Sequence, residues 1–347
     1  MTLSFLVGCS TSSNNTSNTS AQESNDQTAL QQEETEKTEE SAADQAEPNE
    51  TQTKEKFNIG IIQIAEHPAL DESRRGFEEG LAELGVQFSS DYQNAQGDPN
   101  NLKPISQRFI GENVDLILAI ATNSAQTVAN DTKDIPILGT AITDFVDAKL
   151  VNSSENPGTN VSGSSDIAPI KKQMDLLVQL VPDVKKVGMI YATSESNSLI
   201  QVEQAKAELE SRGIEVSIGT IDKVADLSQT AQNVCKDVQA IYIPTDNVVA
   251  SSIASLIAVT EPLKIPVIGG EENQVQNGAT ATIGINYYEL GKLVAAMAKD
   301  ILVNGKDIST MPIQILEEHD LVVNQKGLDA IGMELPEELK GQVKTFY

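Results

Sequence analysis

The polar side chains best suited to meeting a ligand gather where an apolar run gives way to a helix start. The run Ala240-Ile241-Tyr242-Ile243 ends at Pro244, and Thr245, Asp246 and Asn247 precede a helix-periodic segment from Val248. The same order of strand, polar cluster and helix recurs at Ala119 to Ser124, at Tyr191 to Ser198 and at Gly270 to Glu272. Asp246 serves either as a helix N-cap or as an anion for a ligand's cation. Thr122, Asn123, Ser124, Ser194, Ser196 and Asn197 stand at two further helix starts, whose free N–H groups favour a negative charge. One acid facing a set of neutral donors complements a zwitterion such as an amino acid, with its ammonium at Asp246 and its carboxylate at the helix ends. Glu271 and Glu272 either complement a helix dipole or reach the pocket. His67 is either a satisfied loop histidine or a ring walling an apolar pocket, and His319 reads as structural.

Other chemistries are poorly served. Two histidines far apart, without a cysteine pair or a His/Asp/Glu cluster at ligand spacing, give no zinc site. No Gly-x-Ser-x-Gly, P-loop or Gly-x-Gly-x-x-Gly follows a strand. The reading is therefore a binder that is not an enzyme and needs no cofactor.

The elements that must position these clusters form a repeated pattern. Phe57–Ile64 is a continuous apolar run, as in a strand buried on both faces of a parallel sheet, and Ala69–Leu84 is helix-periodic with Gly85 as its stop. Strands at 86–94, 114–120 and 135–140 alternate with helices at 100–111 and 124–132. After an extended piece at 160–165 the alternation restarts, with helices at 169–180, 195–212, 226–234 and 248–259 and strands at 185–191, 214–220, 239–244 and 265–269. Parallel neighbours need crossover connections, so each set predicts a doubly wound sheet. A second extended crossing at 279–285 and a helix at 287–302 return the chain to the first half. The expected class is α/β: two doubly wound parallel-sheet lobes joined by crossing strands, one lobe from 57–163 plus 284–305 and the other from 164–283 plus 306–347. Such a hinge permits closure on a ligand.

The N-terminus carries a different signal. Leu6-Val7-Gly8-Cys9 matches the bacterial lipobox, in which the cysteine is lipidated, although the eight residues before it include no base, so the true start is expected upstream. Residues 10–56 are rich in Ser, Thr, Asn, Gln and Glu and poor in large apolar side chains, the composition of a disordered acidic tether. The chain holds 51 acidic against 24 basic residues, a balance that disfavours nucleic acid or an anionic lipid surface as partner. Cys235 lies among helix-periodic residues and reads as a small buried hydrophobe.

A set of motifs then carries a resemblance. Ile59-Gly60-Ile61-Ile62-Gln63, Glu66-His67-Pro68-Ala69-Leu70-Asp71, Asn94-Ala95-Gln96-Gly97-Asp98, the run from Leu116 to Thr122, Ile135-Pro136-Ile137-Leu138, the run from Tyr242 to Asn247 and the run from Gly284 to Gly291 resemble the solute-binding components of ABC importers for tryptophan and other aromatic amino acids. The resemblance runs from about Phe57 to the C-terminus. It implies the type I periplasmic-binding-protein fold, delivery of solute to a membrane permease with a cytoplasmic ATPase, and a monomeric lipoprotein anchored through Cys9 outside the membrane, as in a Gram-positive bacterium. It places ligand contacts at Thr122, Ser124, Thr143, Asp144, Ser165, Ser194, Ser196, Asn197, Asp246 and Asn247, with His67, Phe145 and Glu271 as further pocket positions. Asn123 and Phe145 stand where the family pattern has proline, and a bulky Phe145 beside the pocket is expected to alter the preferred side chain. The alternatives are a surface sensory receptor of the same fold and an importer receptor for a different small solute. A repressor of this fold would need a basic helix-turn-helix where the acidic tether lies.

Overall fold

The computed structural model describes Lys56–Tyr347; the lipobox cysteine and the tether up to residue 55 lie outside the described residues. The first sheet contains β1 (Phe57–Gln63), β2 (Phe88–Asn94), β3 (Leu116–Ile120), β4 (Ile137–Ile142) and β5 (Val161–Ser165). The second begins with β6 (Lys186–Ala192), β7 (Glu215–Ile221), β8 (Ala240–Ile243), β9 (Val267–Gly269) and β10 (Ala281–Gly284). The chain then returns to the first sheet with β11 (Gln314–Ile315) and ends in the second with β12 (Asp320–Val323) and β13 (Val343–Phe346). Strand orders are β11-β5-β4-β3-β1-β2 and β13-β12-β10-β9-β8-β6-β7. All neighbours pair in parallel except β10 with β12. The pairing puts two crossings later than the sequence pattern suggests. Ser164 and Ser165 still pair in the first sheet, and Ile308, Met311 and Ile313 sit in the first lobe's core, so the last crossing follows β11 and not residue 305.

The buried central strands explain their own sequences. Every residue of β3, β4 and β8 is buried, and β3 and β8 are continuous apolar runs, whereas β2 and β7 lie at sheet edges and are mostly half-buried or exposed. Helices cover both faces: α1 (Pro68–Glu83), α2 (Leu102–Gly111) and α3 (Thr122–Asp131) in the first lobe, then α4 (Ile170–Leu180), α5 (Ser196–Ser211), α6 (Leu227–Val234), α7 (Asn247–Ala250), α8 (Ile253–Thr260) and α9 (Glu272–Gln276) in the second. The helix expected over 248–259 is two pieces, broken at Ser251-Ser252. The returning helix α10 (Tyr287–Leu302) packs on α1 at glycine contacts. A Cβ at Gly291 would lie 2.0 Å from the Ser73 carbonyl oxygen, and one at Gly76 2.0 Å from that of Tyr288. The last helices, α11 (Gln325–Ile331) and α12 (Glu337–Lys340), flank the path from β12 to β13.

The strand order decides where a ligand can bind. In each sheet the order reverses once, at β1 beside β3 and at β6 beside β8, and the loops leaving the carboxyl ends of such strands run to opposite sides and open a crevice. The residues after these four strands are His67, Thr122, Glu195 and Asn247 with their neighbours. The two switch points face each other.

Candidate ligand-binding cleft

Direct hydrogen bonds join the lobes across this cleft. His67 Nε2 lies 3.1 Å from Asn247 Oδ1, and Asn123 Nδ2 donates to the Ser194 carbonyl at 3.2 Å. From α5, Gln201 Nε2 donates to Thr143 Oγ1 at 3.0 Å in the first lobe and also to Thr245 Oγ1, while its Oε1 accepts from Thr245 N–H. Gln201 escaped the sequence reading, although it stands four residues after Asn197 and so shares its helix face.

The second lobe holds its edge with two buried carboxylates. Asp246 caps α7, accepting from Val249 N–H at 2.8 Å on Oδ1, and its Oδ2 accepts from Ala192 N–H at 2.7 Å. Of the two readings open from the sequence, the N-cap is present, and the second oxygen ties the end of β6 to that of β8. Glu195 accepts from the backbone N–H and the side-chain Nδ2 of Asn247 on Oε2, and from Val248 N–H on Oε1. Burial and the nearby Asp246 push the Glu195 carboxyl up to about 8, against the pull of these donors; burial also raises Asp246.

An enclosed cavity lies between the lobes, lined by His67, Leu70 and Ala141 from the first, by Thr245, Asp246, Asn247, Ala250, Glu271 and Gln274 from the second, and by Asp166 and Tyr287 on the crossings. With the lobes shut it has room for only about 10 Å³. Its polar groups are incompletely paired. Asp166 is 3% exposed; its Oδ2 accepts from Tyr287 O–H at 2.6 Å, and its Oδ1 has no partner. Glu271 is 2% exposed; its Oε2 accepts from Asn273 N–H, and its Oε1 has no partner. His67 Nδ1 is also buried and unpartnered. Burial raises Asp166, with the Tyr287 hydroxyl pulling the other way, and burial pushes Glu271 up to about 8. Burial lowers His67 below the usual imidazole value, so the ring is neutral. No lysine or arginine lines the cavity, and an unpaired buried carboxylate is costly. Among the described residues no group of three or more His, Cys, Asp or Glu is placed to hold a metal ion. The charge that suits this cavity is a small organic cation. Asp166 was missing from the sequence reading because it follows the extended piece at 160–165 as a lone acid, without the polar cluster that marks the other helix starts.

The other expected positions are distributed as follows. Thr122 and Ser124 are buried in the first turn of α3, and the Ser124 hydroxyl has no partner. Ala121, just before them, holds φ 78, and Ala141 in β4 holds φ 54; both are left-handed conformations that a non-glycine residue adopts under constraint. Ser165 Oγ donates to the Thr143 carbonyl, and Asn197 Nδ2 to the Thr245 carbonyl, so both brace cleft loops. Asp144 Oδ1 accepts from Val146 and Asp147 N–H and shapes the turn after β4. Ser194 lines a wider cavity of about 1110 Å³ at the cleft mouth, together with Glu66, Asp98, Asp222 and Lys223, while Ser196 is exposed. Phe145 departs from expectation: its ring packs over Gly139 inside the first lobe's core and does not line the enclosed cavity. The turn that Asp144 holds sends the next side chain inward.

Two α/β lobes meeting through their switch points, with unsatisfied polar groups sealed between them, define a hinged solute-binding protein of the type I periplasmic-binding-protein fold. The chain belongs to the ABC transporter substrate binding protein family, whose model matches residues 58–345. It is 39% identical over 292 residues to the tyrosine-binding protein of Clostridioides difficile strain R20291, covering 83% of this chain and 84% of that one. Among solved structures it is similar to the ABC domain from Streptococcus pneumonia in complex with L-Trp, at 32% identity and a TM-score of 0.80, covering 83% of this chain and all of that one. It is also similar to the ligand-free, open structure of a substrate-binding protein with adhesive properties from Clostridium difficile, at 40% identity and a TM-score of 0.64, covering 84% and 99%. The better superposition goes to the complex despite its lower identity, as the interlobe hydrogen bonds of a closed cleft lead one to expect. Members of this family bind substrates for transport and are not enzymes.

Proposed function

We propose that this protein binds an L-amino acid with an aromatic side chain, tyrosine or tryptophan, between its lobes and delivers it to a membrane permease powered by a cytoplasmic ATPase. The observation that carries the reading is the pair of unpartnered carboxylate oxygens, Asp166 Oδ1 and Glu271 Oε1, in one enclosed interlobe cavity without a basic residue. They suit a ligand's ammonium. Asp246, with both oxygens already engaged by backbone N–H groups, contributes field and shape to that site. The ligand's carboxylate is assigned to the start of α3, where Thr122, Ser124 and free N–H groups supply donors. Thr143, Ser165, Ser194, Ser196, Asn197 and Asn247 then belong to the loops that close over it, and Asp144 to the turn behind them. The ligands named for the Clostridioides and Streptococcus relatives support the aromatic class. The Leu6–Cys9 motif and the acidic segment after it support a lipid-anchored, extracytoplasmic location. The lobes must part to admit an aromatic side chain, and the cavity must widen around it.

A thermal-shift screen of the domain from Phe57 onward against the twenty L-amino acids tests the reading, because a ligand that binds only the folded state raises its melting temperature. The expected result is a shift with Tyr or Trp that disappears with the N-acetyl derivative, which has no ammonium. An equal response to the N-acetyl compound would remove the role given to Asp166 and Glu271.

A further inference from the structure

The hydrogen bonds around Asn247 determine which protonation state His67 presents to the cavity. Glu195 Oε2 accepts from Asn247 Nδ2 at 2.7 Å, which fixes the orientation of that amide and turns its Oδ1 towards the histidine. An amide oxygen only accepts, so His67 Nε2 must carry the hydrogen of the 3.1 Å contact. The neutral ring then holds a lone pair on Nδ1, an acceptor with no donor. His67 is 6% exposed, precedes α1 without capping it through its side chain, and lines the enclosed cavity beside Leu70 and Ala141.

We infer that His67 Nδ1 selects ligands by accepting a hydrogen bond from a donor on the bound side chain, the phenol O–H of tyrosine or the indole N–H of tryptophan, and so discriminates against phenylalanine. The inference rests on the amino-acid reading above and deepens it. The ammonium has two acids of its own in Asp166 Oδ1 and Glu271 Oε1, and the apolar Leu70 and Ala141 beside the ring suit a side chain. A phenylalanine complex would bury Nδ1 without a partner, whereas a phenol would satisfy it. A site built around a buried acceptor rejects the analogue that lacks the donor. Glu195 and Asn247 are positioning residues in this scheme, acting through the ring.

The test compares affinities by isothermal titration on wild type, His67→Leu and His67→Gln. The ligands are L-tyrosine against L-phenylalanine, and L-tryptophan against 3-benzothienyl-L-alanine, in which sulfur replaces the indole N–H at nearly the same size. Wild type should prefer the donor-bearing member of the pair it binds by about tenfold to a hundredfold. His67→Leu should reduce that ratio to within about threefold of unity. His67→Gln, whose amide can donate to Asn247 and still offer an oxygen, should restore part of it. Losing the tie to Asn247 weakens both members of a pair together, so the ratio isolates the acceptor. A wild-type ratio near unity, or a ratio unchanged in His67→Leu while binding persists, overturns the inference and leaves the amino-acid function standing. Failure of wild type to bind any of the four overturns both. The benzothienyl comparison on wild type stands even if a variant does not fold.

Discussion

A carboxyl held near 8 inside the cavity proposed for the ligand's ammonium makes affinity depend on pH in a calculable way. Burial raises Glu271 to about 8 from its ordinary 4.5, with Asp166 among the nearby charges that add to the effect. An ammonium docked on Oε1 stabilises the ionised form, so the complex holds Glu271 deprotonated while the shut cleft without ligand holds it mostly protonated at neutral pH. Binding below about pH 8 therefore releases a proton. Each unit below that value costs about 1.4 kcal/mol, so affinity should strengthen by up to about tenfold per unit between about pH 6 and 8, then level off until the ligand's own amine deprotonates. The shut ligand-free protein shows the opposite face of the same linkage. Between 4.5 and about 8 the folded chain binds more protons at Glu271 than the unfolded chain, so stability is greatest at the acid end and falls as pH rises through this window. Titration calorimetry in buffers of different ionisation enthalpy measures the released proton directly. In Glu271→Gln the slope should flatten and the proton disappear, although Glu195, also near 8 but committed to Asn247 and Val248, is unchanged. A flat profile in wild type, or a slope that survives in Glu271→Gln, would refute the placement of the ammonium.

Two further predictions separate binding from architecture. Asp166→Asn should weaken amino-acid binding by about 1.5–3 kcal/mol, the range for a hydrogen bond to a charged group, with little change in melting temperature, whereas Asp246→Asn should lower the melting temperature first because a buried backbone donor at Ala192 or Val249 loses its acceptor; calorimetry and thermal melts on both variants decide between them. Gly291→Ala should destabilise the protein by about 3 kcal/mol, because its Cβ would meet the Ser73 carbonyl at 2.0 Å and backbone cannot give way as a flexible side chain does; a urea midpoint equal to wild type would mean that α1 and α10 are not held at this distance.

Much of this organisation was legible in the sequence, for physical reasons that also explain what was not. Buried parallel strands such as Leu116–Ile120 announce themselves as apolar runs, and Pro68, Gly85 and Gly213 punctuate helices. Polar clusters at the strand ends marked three of the four switch-point loops, those after β3, β6 and β8, and also the loop after β9 that brings Glu271 to the cavity, while the loop after β1 was marked by His67 alone. The crossings were placed less well: β11 is two residues long and its membership of the first sheet depends on pairing with Ser164 and Ser165, some 150 residues earlier. Asp166 acquires meaning from Tyr287, which is 121 residues away, and Glu195 from Asn247, 52 residues away. Local pattern contains no trace of either. Phe145 looked like a pocket residue because it follows Asp144, but the turn that Asp144 makes points it at Gly139.

The cleft also explains why closure should depend on ligand. Shutting the lobes seals Asp166 and Glu271 into a cavity with no basic side chain in its lining, and both are raised by that burial. Each must either take up a proton or bear the cost of an unpaired charge, so the shut state is penalised at and above neutral pH. The interlobe hydrogen bonds at His67, Asn123 and Gln201 replace bonds to water and return little net free energy. A ligand cation removes the penalty only when the lobes are shut around it, because only then do Asp166 on the crossing and Glu271 on the second lobe face the same cavity as His67 on the first. Its affinity for the closed form thereby exceeds that for the open form, which is the condition for a ligand to shift a conformational equilibrium. The buried acids that make this cleft costly to shut are the same groups that make closure report an occupied site.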